Sequence, residues 1–155
     1  MKNYMKLEIA AIGENEGFAR SAVAAFALSL SPTLAELSDI RTAVSEAVTN
    51  CVVHAYGQSE GKIWIECETQ ALQTGGVLHI RITDFGCGIE NVERAVEPFY
   101  TTLPNDERSG MGFTIMQTFM HEFSIQSERG KGTTVQMCKR IGESGENQER
   151  ERKDA

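Results

Sequence analysis

Two segments of alternating hydrophobicity in the middle of the chain constrain its fold most. Every second residue is apolar over residues 62–68, and the same period returns over residues 77–84. A period of two is typical of a half-buried β-strand. The turn-forming residues Thr74, Gly75 and Gly76 lie between the segments. We therefore predict two neighbouring antiparallel strands with one face of each in the core.

Apolar residues on the N-terminal side of these strands follow a helical period instead, after a short predicted strand over residues 7–12. One helix is predicted to begin at Glu14 or Asn15 and to end before Pro32, and a second to cover residues 33–55. Their predicted core faces are Phe18, Ala22, Val23, Phe26 and Leu30 on the first helix, and Leu34, Leu37, Ile40, Val44, Val48, Cys51 and Ala55 on the second.

The C-terminal half continues with a short helix over residues 91–96, a helix over 113–121, and a hairpin of strands over 123–127 and 133–139. Residues 98–112 show no period, and a loop of that length in a compact domain is usually functional. The order of elements predicts an α+β fold: a two-layer sandwich of a mixed, mostly antiparallel sheet with helices on one face.

Composition narrows the function classes. The 155 residues carry a net charge of −7, which argues against a nucleic-acid binder because such a protein needs a basic surface. Neither a signal peptide nor a membrane-spanning apolar run is visible, so we expect a cytoplasmic protein. Residues 1–141 are expected to form one domain and the charged residues 142–155 a solvated tail. The cysteines form no CxxC pair and are expected to be small buried residues: Cys51, Cys67, Cys87 and Cys138.

Three polar residues of the second helix share one side. Glu46, Asn50 and His54 are spaced four apart, so their side chains stack along the helix. An Asn oxygen is a suitable ligand for Mg²⁺, and a carboxylate one turn away can polarise a hydroxyl group. A solvated helix face shows the same pattern, so this spacing alone leaves both interpretations open.

Three glycine-containing motifs follow. The DxGxG motif from Asp84 through Gly86 to Gly88 comes directly after a strand, where it forms either a ligand loop or a tight turn. The sequence SGMGF leads into a helix, which is typical of an anion site but also of a flexible loop. The motif GTT, with Thr133 and Thr134, opens the last strand, where it either contacts a base or is only a hairpin end.

Their combined order resembles the GHKL (Bergerat) ATP-binding family over roughly residues 5–140. Within that family, the stretches NEGFAR, VSEAVTN, PFYTT and ERSGMGFTIM are similar to those of the serine kinases that serve as sporulation anti-sigma factors. This resemblance implies binding of ATP or ADP with Mg²⁺, and transfer of phosphate from ATP to a serine of an anti-anti-sigma protein.

The resemblance also implies a role for individual residues. Glu46 is expected to be the catalytic base, Asn50 the Mg²⁺ ligand and Asp84 the acceptor of the adenine amino group. Residues expected to complete the nucleotide site, including the lid over residues 101–112, are Gly86, Gly88, Thr101, Arg108, Ser109, Gly110, Gly112, Thr133 and Thr134. Leu103 departs from the family pattern, because a basic residue is expected there.

The implied partners are proteins. Arg20 on the first helix is expected to contact a partner, and the chain is expected to bind a sigma factor of the sigma F type as a homodimer, without direct contact to nucleic acid or membrane. Two alternatives stay open: a kinase that restrains the general-stress (sigma B-type) sigma factor, and a nucleotide-gated binding module without useful kinase activity. A purely structural scaffold would bind no nucleotide.

Overall fold

A computed structural model describes residues 2–57, 59–97 and 111–142. Its strands are β1 (Lys2–Ala10), β2 (Lys62–Ala71), β3 (Gly76–Asp84), β4 (Glu122–Glu128) and β5 (Gly132–Ile141). Its α-helices are α1 (Glu14–Ala27), α2 (Leu34–Asn50), α3 (Val92–Ala95) and α4 (Gly112–Phe119). A 3₁₀-helical turn (Leu28–Leu30) extends α1. A single π-helical turn (Cys51–Ala55), called the π-turn below, extends α2.

The strands form one sheet in the order β1-β2-β3-β5-β4. All four pairings among the described strands are antiparallel, so the α+β prediction is confirmed and the sheet is not mixed. Alternate residues of the central strands, such as Ile65, Ile82 and Val135, join residues of α1, α2 and α4 in a single buried cluster. The core therefore lies between one face of the sheet and these helices.

Helix α2 begins with a capping box. Thr33 Oγ1 accepts a hydrogen bond from the Glu36 amide at 3.1 Å, and Glu36 Oε2 accepts one from the Thr33 amide at 2.8 Å. The other carboxylate oxygen of Glu36 accepts a bond from the Gly142 amide at 3.1 Å. One buried carboxylate thus fixes both the start of α2 and the chain where β5 ends.

Several sequence-based predictions were wrong in detail. Strand β1 begins at Lys2 rather than at residue 7, because it pairs with β2 along its whole length. Phe18 and Leu34, assigned to the core, are 56% and 86% exposed, since the core faces of α1 and α2 are built largely from alanine and valine. Cys87 is exposed, whereas the other three cysteines are buried as expected. Among the described residues, no helix combines the length and apolarity that crossing a bilayer requires.

Candidate functional site

A cavity of about 1090 Å³ lies between α2, the connection from β3 to α3, the start of α4 and the start of β5. That volume suits a cofactor-sized ligand. The predicted site residues that line it are Glu46, Asn50, Asp84, Gly88, Gly112 and Thr133. Side chains from segments far apart in the sequence therefore meet around one cavity, as the motif order implied.

The first residue of α4 packs directly on the polar stripe of α2, the side of the helix that carries Glu46 and Asn50. A Cβ atom added to Gly112 would lie 3.2 Å from both Asn50 Nδ2 and Glu46 Oε2, and 3.3 Å from Asn50 Oδ1. Glycine at this position lets the amide end of α4 approach the carboxamide and the carboxylate closely. The helix N-terminus and the stripe thus form one end of the cavity.

A buried lysine holds the other end of α4. Lys139 Nζ on β5 donates to the Phe119 carbonyl at 2.7 Å and to Asp39 Oδ2 at 2.9 Å. Because Asp39 belongs to α2 and Phe119 is the last residue of α4, this cation ties both helices to the sheet. The contact contributes to the placement of Gly112 against α2.

Asp84, the last residue of β3, forms the opposite end of the cavity. Its Oδ1 accepts hydrogen bonds from the amides of Gly86, at 3.1 Å, and Thr133, at 3.2 Å. Burial raises the pKa of this carboxyl group, while those two amides and a hydrogen bond from the Cys51 thiol act in the opposite direction. Burial also raises the pKa of Cys51 well above its usual range, so the thiol remains a protonated donor at neutral pH.

The glycine motif and the GTT motif meet beside Asp84. Gly88 has a φ of +72° and its Cα lies against the carbonyl of Glu128, so a side chain there would be strained and would overlap the hairpin. Thr133 lines the cavity. The Thr134 hydroxyl instead lies 3.3 Å from that of Thr83, on the sheet face away from the helices, so Thr133 is the threonine that faces the site.

A smaller groove of about 520 Å³ adjoins this region and is lined by Arg20. Arg20 Nη1 donates to both carboxylate oxygens of Glu16, at 3.0 and 3.2 Å. Among the described residues its buried Nε has no hydrogen-bond partner. Leu34, Leu37, Arg41 and Glu46 also line this groove, so Glu46 borders both cavities.

Four predicted lid residues lie outside the described residues: Thr101, Arg108, Ser109 and Gly110. Leu103, the departure from the family pattern, lies outside them as well. The predictions for these positions therefore stay predictions.

Sequence reasoning missed several residues at the site. Arg94 and Arg129 line the cavity, but the sequence indicated only a short helix around Arg94 and a hairpin turn at Arg129. Cys51 was assigned to the core, and its bond to Asp84 had no sequence signal. Tyr56 joins the end of the π-turn to the backbone after Asp84, with hydrogen bonds that only the tertiary structure reveals.

The side-chain oxygens at the Glu46 and Asn50 end of the cavity are of the type that binds a magnesium ion together with phosphate. Within the described part of the chain, no three His, Cys, Asp or Glu residues group as a metal cage. Mg²⁺ is usually bound by several waters, substrate phosphates and one or two carboxylates. At this site the Asn50 side-chain oxygen would be the protein ligand, and a bound nucleotide would supply the phosphates. Gly112 and Phe113 line the cavity beside Asn50, so a phosphate there would meet the N-terminal end of α4.

Comparisons with known proteins identify the family of the chain. Residues 10–139 match the family described as histidine kinase-like ATPase domain. The chain is 50% identical over 140 residues to an anti-sigma F factor of Thermoanaerobacter sp. (strain X514), covering 90% of this chain and 95% of the relative. It is 50% identical over 141 residues to the anti-sigma F factor of Clostridium perfringens (strain 13), covering 91% and 99%.

Solved structures show the same fold at lower identity. The RsbU and RsbW domains of a Mycobacterium tuberculosis protein match with a TM-score of 0.60 at 19% identity, covering 90% of this chain and 32% of that one. The mycobacterial sensor histidine kinase MprB matches with a TM-score of 0.50 at 20% identity, covering 68% and 72%. The chain belongs to the histidine kinase-like ATPase domain family, in which it is similar to the anti-sigma F factors.

Proposed function

We propose that this chain is a cytoplasmic anti-sigma factor that binds a sigma factor of the sigma F type, and that it is also an ATP-dependent protein serine kinase. Its substrate is the anti-anti-sigma protein that opposes it, and phosphorylation inactivates that protein. The similarity to anti-sigma F factors supports the first activity. The geometry of two adjoining cavities supports the second.

The observation that carries the kinase proposal is the position of Glu46. Its side chain borders both the large cavity and the groove that contains Arg20. A nucleotide in the large cavity and a protein segment in the groove would therefore meet at one carboxylate. A kinase needs this arrangement, because its work is to bring a hydroxyl group in line with the γ-phosphate.

Each residue then has a role in phosphoryl transfer. Glu46 orients the acceptor serine and takes the proton of its hydroxyl group as that oxygen attacks the γ-phosphorus. The bond between the γ-phosphorus and the β–γ bridging oxygen breaks, and ADP leaves. The first residues of α4, beginning with Gly112, supply amide N–H groups for the phosphates, and Asp84 accepts a hydrogen bond from the adenine amino group.

A magnesium ion, when bound, would neutralise charge on the phosphates. Asn50 is the residue that would hold it through its side-chain oxygen. The lid residues Thr101, Arg108, Ser109 and Gly110 are proposed to complete the phosphate contacts, with Gly86 allowing close approach of the base and Arg20 contacting the partner proteins. We further propose that residues 1–141 act as one domain in a homodimer and that residues 142–155 are a charged tail.

Labelled ATP tests the kinase proposal. We expect the chain, incubated with magnesium, labelled ATP and the anti-anti-sigma protein, to transfer label to a serine of that protein. Glu46→Gln should still bind ATP but transfer at least ~100-fold more slowly, since positioned acid–base groups contribute about that much. Glu122→Gln, an exposed carboxylate on β4, is the matched control and should transfer normally.

Two results would change the proposal. Full transfer by Glu46→Gln would refute the assignment of the base. No transfer by the wild type, together with saturable ATP binding, would favour a nucleotide-gated binding module instead. A pull-down against the sporulation and general-stress sigma factors separates the two anti-sigma alternatives, and we expect nucleotide-dependent retention of the sigma F type.

A further inference from the structure

Tyr56 joins three segments around the predicted adenine end of the cavity. It directly follows the π-turn (Cys51–Ala55) that extends α2. Its hydroxyl group donates to the Lys62 carbonyl at the start of β2, at 2.6 Å. The same hydroxyl accepts a hydrogen bond from the Phe85 amide, at 2.7 Å. One side chain thus connects the end of α2, the start of β2 and the loop after β3.

The Tyr56 ring is held by close packing as well as by these two bonds. A Cβ atom added to Gly61 would lie 2.5 Å from three carbons of the ring, so the ring lies flat against the backbone before β2. Burial raises the pKa of the hydroxyl group above its usual range, so the group stays protonated at neutral pH. It can therefore act as donor and acceptor at the same time.

The bond from Phe85 acts on the backbone that carries the Asp84 side chain. Three successive amides of this loop have different acceptors: Phe85 donates to Tyr56, Gly86 to Asp84 Oδ1, and Cys87 to the Ala55 carbonyl. The Phe85 amide belongs to the same peptide plane as the Asp84 carbonyl. Tyr56 therefore helps to orient that plane and, through it, the loop whose Gly86 amide binds the Asp84 carboxylate. The Thr133 amide binds the same carboxylate from β5.

We propose that Tyr56 is a positioning residue for base recognition, which aims the Asp84 carboxylate at the nucleotide without touching the nucleotide itself. This inference rests on the proposed function, in which Asp84 accepts the adenine amino group. The π-turn before Tyr56 is consistent with such a role, because π-bulges in helices frequently occur at functional sites. Without the hydroxyl group, the Phe85 amide loses its hydrogen-bond acceptor, while the pairing of β2 with β3 and the Cys87–Ala55 bond remain.

A change of base tests this proposal, because a purely structural defect would weaken all nucleotides alike. Calorimetry with magnesium should show that the wild type prefers ATP to ITP, which has a carbonyl oxygen in place of the adenine amino group. In Tyr56→Phe we expect ATP binding to weaken about tenfold, as for the loss of one aligned hydrogen bond, while ITP binding changes little. Tyr4→Phe is the matched control, since Tyr4 is 82% exposed.

The single tryptophan of the chain provides an independent readout of the loop. The Trp64 and Phe85 rings stack edge to face with centroids 4.7 Å apart, so Trp64 fluorescence reports the position of Phe85. We expect Tyr56→Phe to alter the emission of the folded, nucleotide-free protein. Gly61→Ala is the second variant: it keeps the hydroxyl group but displaces the ring, and it should also reduce the preference for ATP.

The possible outcomes separate the two proposals. If the wild type binds neither nucleotide, the proposed function fails and this inference fails with it. If the wild type prefers ATP and both variants keep the full preference, Tyr56 has no positioning role, although the proposed function stands. Equal weakening of ATP and ITP in Tyr56→Phe would assign the residue to stability alone.

Discussion

Replacing Gly112 with alanine should separate the stability of the fold from the function of the site. Gly112 is the first residue of α4, where alanine is a better helix former than glycine by at most about 1 kcal/mol. The added methyl group would lie 3.2–3.3 Å from the side chains of Asn50 and Glu46. The van der Waals contacts of a methyl group are most favourable at about 3.5–4.0 Å, so both side chains must recede by a few tenths of an ångström.

The expected result is a variant with unchanged or slightly higher thermal stability and impaired nucleotide chemistry. A misplacement of about 1 Å at a catalytic group can cost about 100-fold in rate, so a shift of a few tenths should cost about three- to tenfold. Thermal denaturation measures the first quantity. Magnesium-dependent ATP binding and the rate of phosphate transfer measure the second.

Gly17→Ala is the matched control, because Gly17 lies inside α1 and an added Cβ would meet its nearest neighbour, Arg20 Nη2, at an ordinary 3.9 Å. This variant should gain stability and bind ATP normally. If Gly112→Ala also binds ATP and transfers phosphate at the wild-type rate, the close approach of α4 to the stripe has no functional importance. That result would refute the reasoning that places the phosphates there.

Three further predictions concern other parts of the chain. An ionised carboxylate accepts the hydrogen bond of the adenine amino group more strongly than a neutral carboxyl group does, so ATP affinity should fall as pH decreases through the pKa of Asp84. Because burial raises that pKa, the fall begins at a higher pH than for an exposed aspartate. Calorimetry on Asp84→Asn should show weaker binding without this pH dependence. Lys139→Met should lower the free energy of unfolding by about 1.5–3 kcal/mol in urea denaturation, whereas Lys131→Met, at an exposed pair, should change it by less than about 1 kcal/mol. Glu36→Ala removes the capping box and the bond to Gly142, so it should cost about 1–3 kcal/mol by the same measurement; an unchanged midpoint would contradict the capping role.

The sequence determined the local structure well because local structure depends on neighbours along the chain. Alternation over β2 and β3 predicted two adjacent antiparallel strands, and their register confirms it. The spacing of Glu46 and Asn50 required them to share one side of α2. It could not exclude that this side faces solvent, because a solvated stripe has the same spacing.

Tertiary structure decided which of these groups meet. Gly112 contacts Asn50 because α4 packs on α2, and Thr133 reaches Asp84 because β5 inserts between β3 and β4 in the sheet. Both contacts join residues about 50 to 60 positions apart, and no local pattern encodes them. Tyr56 had no sequence signal for the same reason. Its hydroxyl group binds the Lys62 carbonyl and the Phe85 amide, and these two groups come together only when the sheet has formed. The π-turn then sets the direction of the Tyr56 side chain.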